Sequence, residues 1–164
     1  MEIWEVLDKD KNKTGKTITR GTPMNEDEYH LTVDIWIRNS EDKYLITKRT
    51  PNKTFPNMWE TTGGAAIAGD DSFRTALREV EEEIGIKLDP HKGIFIQSNR
   101  RDEAKFKSFK DVWLFLEDVD LKDVIHQENE VADSKWASEE EIKSMIKNGE
   151  FVNVFTYIDE VFRY

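Results

Sequence analysis

The sequence contains no cysteine, and this absence excludes disulfides, thiolate metal sites and cysteine nucleophiles. It also lacks a long hydrophobic run, because no apolar stretch approaches the about 20 residues that span a bilayer. The first residues, Met1–Leu7, have neither the basic start nor the apolar core of a signal peptide. We therefore expect a cytoplasmic protein with no membrane partner.

Positive charge is scarce, since 24 Lys and Arg residues stand against 34 Asp and Glu residues, for a formal net charge of −10. Proteins that bind the nucleic-acid backbone are usually basic, so the composition argues against a nucleic-acid polymer as partner. A small phosphorylated substrate remains compatible, because an acidic site gains positive charge from the metal ions it holds. At 164 residues, we expect one domain over residues 1–164 with its own core.

Apolar alternation and periodicity predict an α/β fold. Strands are expected within residues 2–20 and at residues 29–38, 43–49, 59–62, 93–98, 112–117 and 130–136. Helices are expected at residues 72–84, 138–148 and 152–164. Because strands lie before and between these helices, we expect a mixed sheet flanked by helices on both faces.

The helix at residues 72–84 carries the strongest functional signal. Glu79, Glu82 and Glu83 stand at positions i, i+3 and i+4, so they project together from the side opposite its apolar stripe. Three clustered carboxylates repel one another unless a cation lies among them, although a solvated acidic face is the alternative reading. Gly63 and Gly64 come just before this segment, as expected where backbone approaches a ligand closely. Because Mg²⁺ prefers oxygen ligands and phosphate, the pattern predicts a divalent metal and a phosphate substrate.

The same segment, residues 64–86, resembles the Nudix box, Gly-x5-Glu-x7-Arg-Glu-U-x-Glu-Glu-x-Gly-U, in which U is aliphatic. The matching positions are Gly64, Arg78, Glu79, Val80, Glu82, Glu83, Gly85 and Ile86. Asp70 departs from the pattern, since it stands where the family usually has glutamate. Its side chain is one methylene shorter, which leaves its reach to Arg78 open. The resemblance implies a Nudix-type α/β/α sandwich.

The resemblance also implies a pyrophosphatase that uses Mg²⁺ or Mn²⁺ and acts on a small-molecule diphosphate, such as a nucleoside diphosphate linked to another group. The metal ligands implied in this way are Glu79, Glu82, Glu83 and the Gly63 carbonyl. Glu79 is either a ligand or the base that activates water, and which acid serves as the base stays open. Glu82 and Arg78 complete the implied catalytic set, with Arg78 orienting an acid. The Gly64 backbone would approach the substrate.

Two further acids, Glu128 and Glu130, precede the strand expected at residues 130–136. Nudix hydrolases often take an additional carboxylate from a loop in this region, and Glu130 is the preferred candidate metal ligand. The alternative is that both acids are solvated on a turn.

A second resemblance, to the isopentenyl-diphosphate isomerase branch of the same superfamily, lies outside the box. Its motifs are Tyr29-His30-Leu31, Ile46-Thr-Lys-Arg49 with Lys53, Phe55-Pro-Asn-Met-Trp59, and the acids Glu128 and Glu130. This resemblance implies that Arg49 and Lys53 contact a diphosphate, for which cationic side chains are suited. His30 is a candidate substrate contact or a packed residue at a strand end. The isomerase requires a cysteine, which this chain lacks, so hydrolysis is favoured.

A basic stretch leaves a further question open. It comprises Arg100, Arg101, Lys105, Lys107 and Lys110, with Phe106 and Phe109 between them. It is either a substrate loop or a solvated hairpin arm or dimer contact. The leading function is a metal-dependent hydrolase that cleaves a diphosphate linkage. An isomerase-like enzyme and a non-catalytic nucleotide-binding sensor are the alternative functions. The oligomeric state stays open, with a homodimer as the candidate assembly.

Overall fold

The computed structural model describes residues 1–154 and 156–164 and contains nine strands and three α-helices within them. The strands are β1 (Ile3–Leu7), β2 (Lys13–Thr19), β3 (His30–Arg38), β4 (Lys43–Arg49), β5 (Trp59–Glu60), β6 (Thr62–Ala65), β7 (Gly93–Arg101), β8 (Ser108–Leu116) and β9 (Val131–Ser138). The helices are α1 (Ser72–Ile84), α2 (Glu139–Lys147) and α3 (Ile158–Arg163). No helix within the described residues is long and apolar enough to cross a membrane.

Seven strands form a mixed sheet with the order β5-β4-β3-β8-β7, while β6 also pairs with β3 and β9 with β4. The β3–β8 pair is parallel along its whole length, and the other pairs are antiparallel. β1 and β2 form a separate hairpin. The expected mixed sheet is therefore confirmed.

Helices cover both faces of this sheet because side chains alternate along β3. Ile35 and Ile37 face α1, where they pack in one cluster with Val80 and Ile84. Trp36, between them, is fully buried in the opposite cluster with residues of α2 and α3. The expected α/β/α sandwich is confirmed.

The ends of α1 follow its sequence closely. The Asp71 carboxylate caps the first turn by accepting a hydrogen bond of 2.7 Å from the Arg74 amide. Gly85 ends the helix in the left-handed conformation at φ 68°, which glycine adopts without a side-chain clash. With its apolar side packed on the sheet, α1 leaves its acidic side toward the β6 edge.

Several predicted boundaries are wrong. β8 begins at Ser108 rather than at residue 112, and β7 runs to Arg101 rather than to residue 98. The strand expected at residues 59–62 is two strands, because the chain pairs with β4 through Glu60 and then joins β3 at Thr62. The last helix begins at Ile158 rather than at residue 152. The segment before it is held in another way, since Phe151 bridges to Trp59 and the Val152 amide donates to the Trp59 carbonyl.

Candidate active site

α1 approaches the sheet closely at Gly64. Gly63 and Gly64 lie on β6, opposite Asp34 and Val33 of β3. A Cβ atom on Gly64 would lie 2.6 Å from Oε2 of Glu79 and closer still to the other carboxylate atoms. Only a residue without a side chain therefore leaves room for the Glu79 carboxylate against this strand.

Arg78 holds the acids of α1 together. Its Nη1 atom donates to Glu79 Oε1 at 3.1 Å and to Glu82 Oε2 at 3.2 Å. Its Nε atom donates to Asp70 Oδ2 at 3.1 Å, and its Nη2 atom donates to the Ala65 carbonyl at 3.1 Å. The shorter Asp70 side chain thus reaches Arg78. The guanidinium thus contacts three acids and the end of β6, and its role in orienting a catalytic acid stays a prediction.

Two of these carboxyls have raised pKa values. Burial raises the pKa of Glu79 to about 7, although the adjacent Arg78 opposes the shift. Burial, followed by the charges of Glu79 and Glu60, raises the pKa of Glu83 well above its usual value, while Lys53 opposes this shift. Both carboxyls would hold their negative charge more readily beside a cation.

The loop before β9 is fastened to the carboxyl end of α1. The Ile125 amide donates to the Ile84 carbonyl and the Gln127 amide donates to the Glu83 carbonyl, both at 2.9 Å. This attachment places Glu130 near Glu83, whose pKa it helps to raise. Glu128 is exposed on the same turn. The structure therefore brings Glu130 toward the acids of α1.

The two cations expected to bind diphosphate are both paired with acids. Arg49 Nη1 contacts the Glu60 oxygens at 2.8 and 2.9 Å, and Lys53 Nζ donates to Glu130 Oε2. Burial raises the pKa of Glu60 despite its pairing with Arg49. The sequence did not indicate Glu60 as a residue of the site. Its position at the end of a short strand, just before the glycines of β6, could have suggested it.

A cleft of about 500 Å³ opens at this edge of the sheet. Its lining includes Arg49, Lys53, Glu60, Gly63, Gly64 and His30. A second cavity, of about 490 Å³, adjoins it and shares the wall residues Asp34, Glu60, Thr61, Arg101 and Lys110. Five of the expected site residues, namely Arg49, Lys53, Gly63, Gly64 and His30, therefore line one cleft, with Glu79 of α1 beside its Gly64 edge.

A family model described as the NUDIX domain matches residues 28–155. The chain belongs to the Nudix hydrolase family. An uncharacterized Nudix hydrolase of Listeria monocytogenes is 35% identical over 169 residues, which cover 99% of this chain and 94% of the relative.

Solved structures show the same Nudix fold. A Deinococcus radiodurans protein aligns with a TM-score of 0.77 at 23% identity, covering 99% of this chain and 98% of its own. The NUDIX domain of NrtR from Shewanella oneidensis, solved with ADP ribose, aligns with a TM-score of 0.62 at 20% identity, covering 81% and 86% of the two chains.

The Nudix box supplies oxygen donors that suit a hard cation. Across residues 1–154 and 156–164, no three Asp, Glu or His side chains already surround a common point as metal ligands. The donor chemistry nevertheless fits. Burial and the charge of Glu82 raise the pKa of Glu79, and burial and the charge of Glu79 raise the pKa of Glu83. A divalent cation takes such oxygens as ligands and offsets their repulsion.

His30 lies in the cleft lining of this Nudix hydrolase as a packed, neutral residue. Its ring stacks on Trp4 with 4.0 Å between centroids, and only 6% of the residue is exposed. Burial, followed by the charge of Arg20, lowers its pKa to about 4. Within the described part of the chain its Nδ1 atom has no hydrogen-bond partner.

The buried His30 makes stability sensitive to acid. The unfolded chain takes up a proton near pH 6.5, whereas the folded protein does so only near pH 4. The free energy of unfolding should therefore fall as the pH drops from 6.5 to 4, by up to about 3 kcal/mol. His30→Phe keeps a ring against Trp4 but cannot take up this proton. We expect the acid-induced fall in its free energy of unfolding, measured by urea titration at each pH, to be smaller by this amount. Parallel pH profiles for the two proteins would contradict the assignment.

Proposed function

We propose that this Nudix hydrolase is a divalent-metal-dependent pyrophosphatase that cleaves the diphosphate linkage of a nucleoside diphosphate derivative or a related organic diphosphate. The observation that carries the proposal is the Glu79 carboxylate against Gly64 at the cleft edge, with Glu82 held by the same Arg78 and with the pKa values of Glu79 and Glu83 both raised. Glu79 is buried and Glu83 is half-buried, and carboxylates of this kind beside a cleft that also presents cations suit a metal-bound diphosphate.

Mg²⁺ or Mn²⁺ would be held by Glu79, Glu82 and Glu83, with the Gly63 carbonyl and Glu130 as further ligands. When bound, such an ion lowers the pKa of water and neutralises charge on phosphate oxygens. A carboxylate that is not fully engaged as a ligand would accept the proton of the attacking water. Glu79 and Glu82 are the candidates, since Arg78 orients both of them.

The comparisons support a small phosphorylated molecule as substrate. The structural relative from Shewanella oneidensis was solved with ADP ribose, a nucleoside diphosphate linked to a sugar. The cleft here, at about 500 Å³, is in the size range of small-molecule sites. Arg49 and Lys53 line it. They would contact the diphosphate when its oxygens replace their carboxylate partners, Glu60 and Glu130.

A substrate screen tests the proposal. Purified protein would be incubated with nucleoside di- and triphosphates, nucleotide sugars, dinucleotides and prenyl diphosphates, each with Mg²⁺ or Mn²⁺. We expect phosphate-containing products that disappear when the metal is chelated. Binding without turnover across the whole panel would instead favour a nucleotide-binding sensor.

Isomerisation is the second candidate, and it is favoured only by the outer motifs around His30, Arg49 and Lys53. The isopentenyl-diphosphate isomerases that the outer motifs resemble require a cysteine for proton transfer, and this chain has none. Residues 61–66 contain no acid or histidine in its place. An isomeric product from a prenyl diphosphate, with no phosphate release, would reverse this preference.

A further inference from the structure

Most cations of the cleft already have a carboxylate partner. These pairs are Arg49 with Glu60, Lys53 with Glu130, Arg20 with Glu2, and Lys110 with Asp34. Arg101 lines the same cleft, but no carboxylate in the described ranges lies within ion-pairing distance of it. In a chain with a formal charge of −10, an unpaired guanidinium inside a cleft is unexpected.

The position of Arg101 is fixed by the sheet. It is the last residue of β7, where it pairs with the buried Ser108 of β8. Its half-buried side chain borders both the main cleft and the adjoining cavity. Backbone pairing on a strand therefore holds this guanidinium at the wall between two cavities.

The neighbours of Arg101 leave its charge uncompensated. Asp34 Oδ2 accepts hydrogen bonds from the Tyr157 hydroxyl at 2.6 Å and from Lys110 at 3.1 Å. Burial raises the pKa of Tyr157 well above its usual value, so its hydroxyl stays neutral at ordinary pH. Asp34, which lines both cavities together with Arg101, is thus already occupied by two donors.

We propose that Arg101 binds a phosphate group of the substrate on the β7 side of the cleft. This inference rests on the proposed function, since it concerns the same diphosphate. A guanidinium offers planar paired donors that match phosphate oxygens, and its half-buried position strengthens an ionic contact relative to one in bulk water. The acids of α1 and Arg101 would then hold the two ends of one diphosphate.

Arg100 provides a matched control, because successive residues of a strand point to opposite sides. Its Nη2 atom lies 3.1 Å from Asp102 Oδ2, and its guanidinium lies over the Tyr29 ring, 5.8 Å from the centroid. Arg100→Gln therefore removes the same charge from the same strand without touching the cleft.

The test uses methylenediphosphonate, a diphosphate analogue that cannot be hydrolysed, with Mg²⁺ and calorimetric detection. We expect Arg101→Gln to raise the dissociation constant about 10-fold or more, and Arg100→Gln to change it by less than about twofold. Arg101→Lys should retain part of the affinity, since it keeps the charge but loses the fork. Far-UV circular dichroism and thermal unfolding confirm that the variants are folded.

The outcomes separate this inference from the proposed function. Equal affinities of the wild type and Arg101→Gln, equal losses in both glutamine variants, or no binding by the wild type would each overturn the role of Arg101. Binding that depends on Arg101, without turnover of any substrate in the screen, would support it while contradicting the hydrolase assignment. For a substrate that is turned over, Arg101→Gln should raise KM more than it lowers kcat.

Discussion

Glu82→Gln is expected to lower metal-dependent turnover by about 10²-fold or more, the usual contribution of a positioned acid or base. Glutamine keeps the size of the side chain but loses the charge that would bind metal and the basicity that would accept a proton. Because Glu82 is exposed on α1, the free energy of unfolding should change by less than about 1 kcal/mol. Steady-state rates at saturating Mg²⁺, with parallel urea unfolding, measure both effects.

Glu81→Gln is the matched control for this substitution. Its side chain is 53% exposed, close to the 48% of Glu82, and it lies on the same helix next to Glu82. Its partner is Lys87, at 3.8 Å, away from Arg78. We expect near-normal turnover from Glu81→Gln. Near-normal turnover from Glu82→Gln as well would remove the acidic cluster from the mechanism.

The helix that carries the acids could be predicted because its signals are local. The apolar spacing along residues 72–84 identifies the buried side of the helix. Asp71 caps its first turn, and Gly85 ends it. The same spacing predicts Glu79, Glu82 and Glu83 on the other side, whereas in the structure Glu82 is exposed and Glu79 is buried against Gly64 of β6. All these features depend on residues within a few turns of one another, so a sequence pattern contains them.

The pairing of charges could not be predicted because it depends on contacts between distant parts of the chain. Asp34 and Tyr157 are 123 residues apart, and Lys53 and Glu130 are 77 apart. The sequence indicated Arg49 and Lys53 as cations for the diphosphate, but it did not reveal that each is paired with an acid. It also could not distinguish the residues of the basic stretch. In the structure Arg101 lines the cleft, whereas Arg100 lies outside it and pairs with Asp102.

Adding a methyl group at the two neighbouring glycines of β6 should have different effects: at Gly64 it should lower turnover, and at Gly63 it should lower the free energy of unfolding. In Gly64→Ala the new Cβ meets the carboxylate of Glu79, which can rotate away at little cost to the fold. We expect about a 10-fold to 10²-fold loss of turnover, since small displacements of a catalytic group are costly. The unfolding free energy should fall by less than about 1 kcal/mol.

Gly63→Ala is the contrasting variant, because its Cβ would lie 2.6 Å from the Val33 carbonyl and 2.9 Å from Asp34 Oδ1. The Val33 carbonyl belongs to the backbone of β3 and cannot move without disturbing the sheet. The unfolding free energy should therefore fall by about 1–3 kcal/mol, as measured by urea titration. A Gly64→Ala protein with full activity would show that Glu79 need not lie against β6. One that lost stability as Gly63→Ala does would show that the helix, rather than its carboxylate, had been displaced.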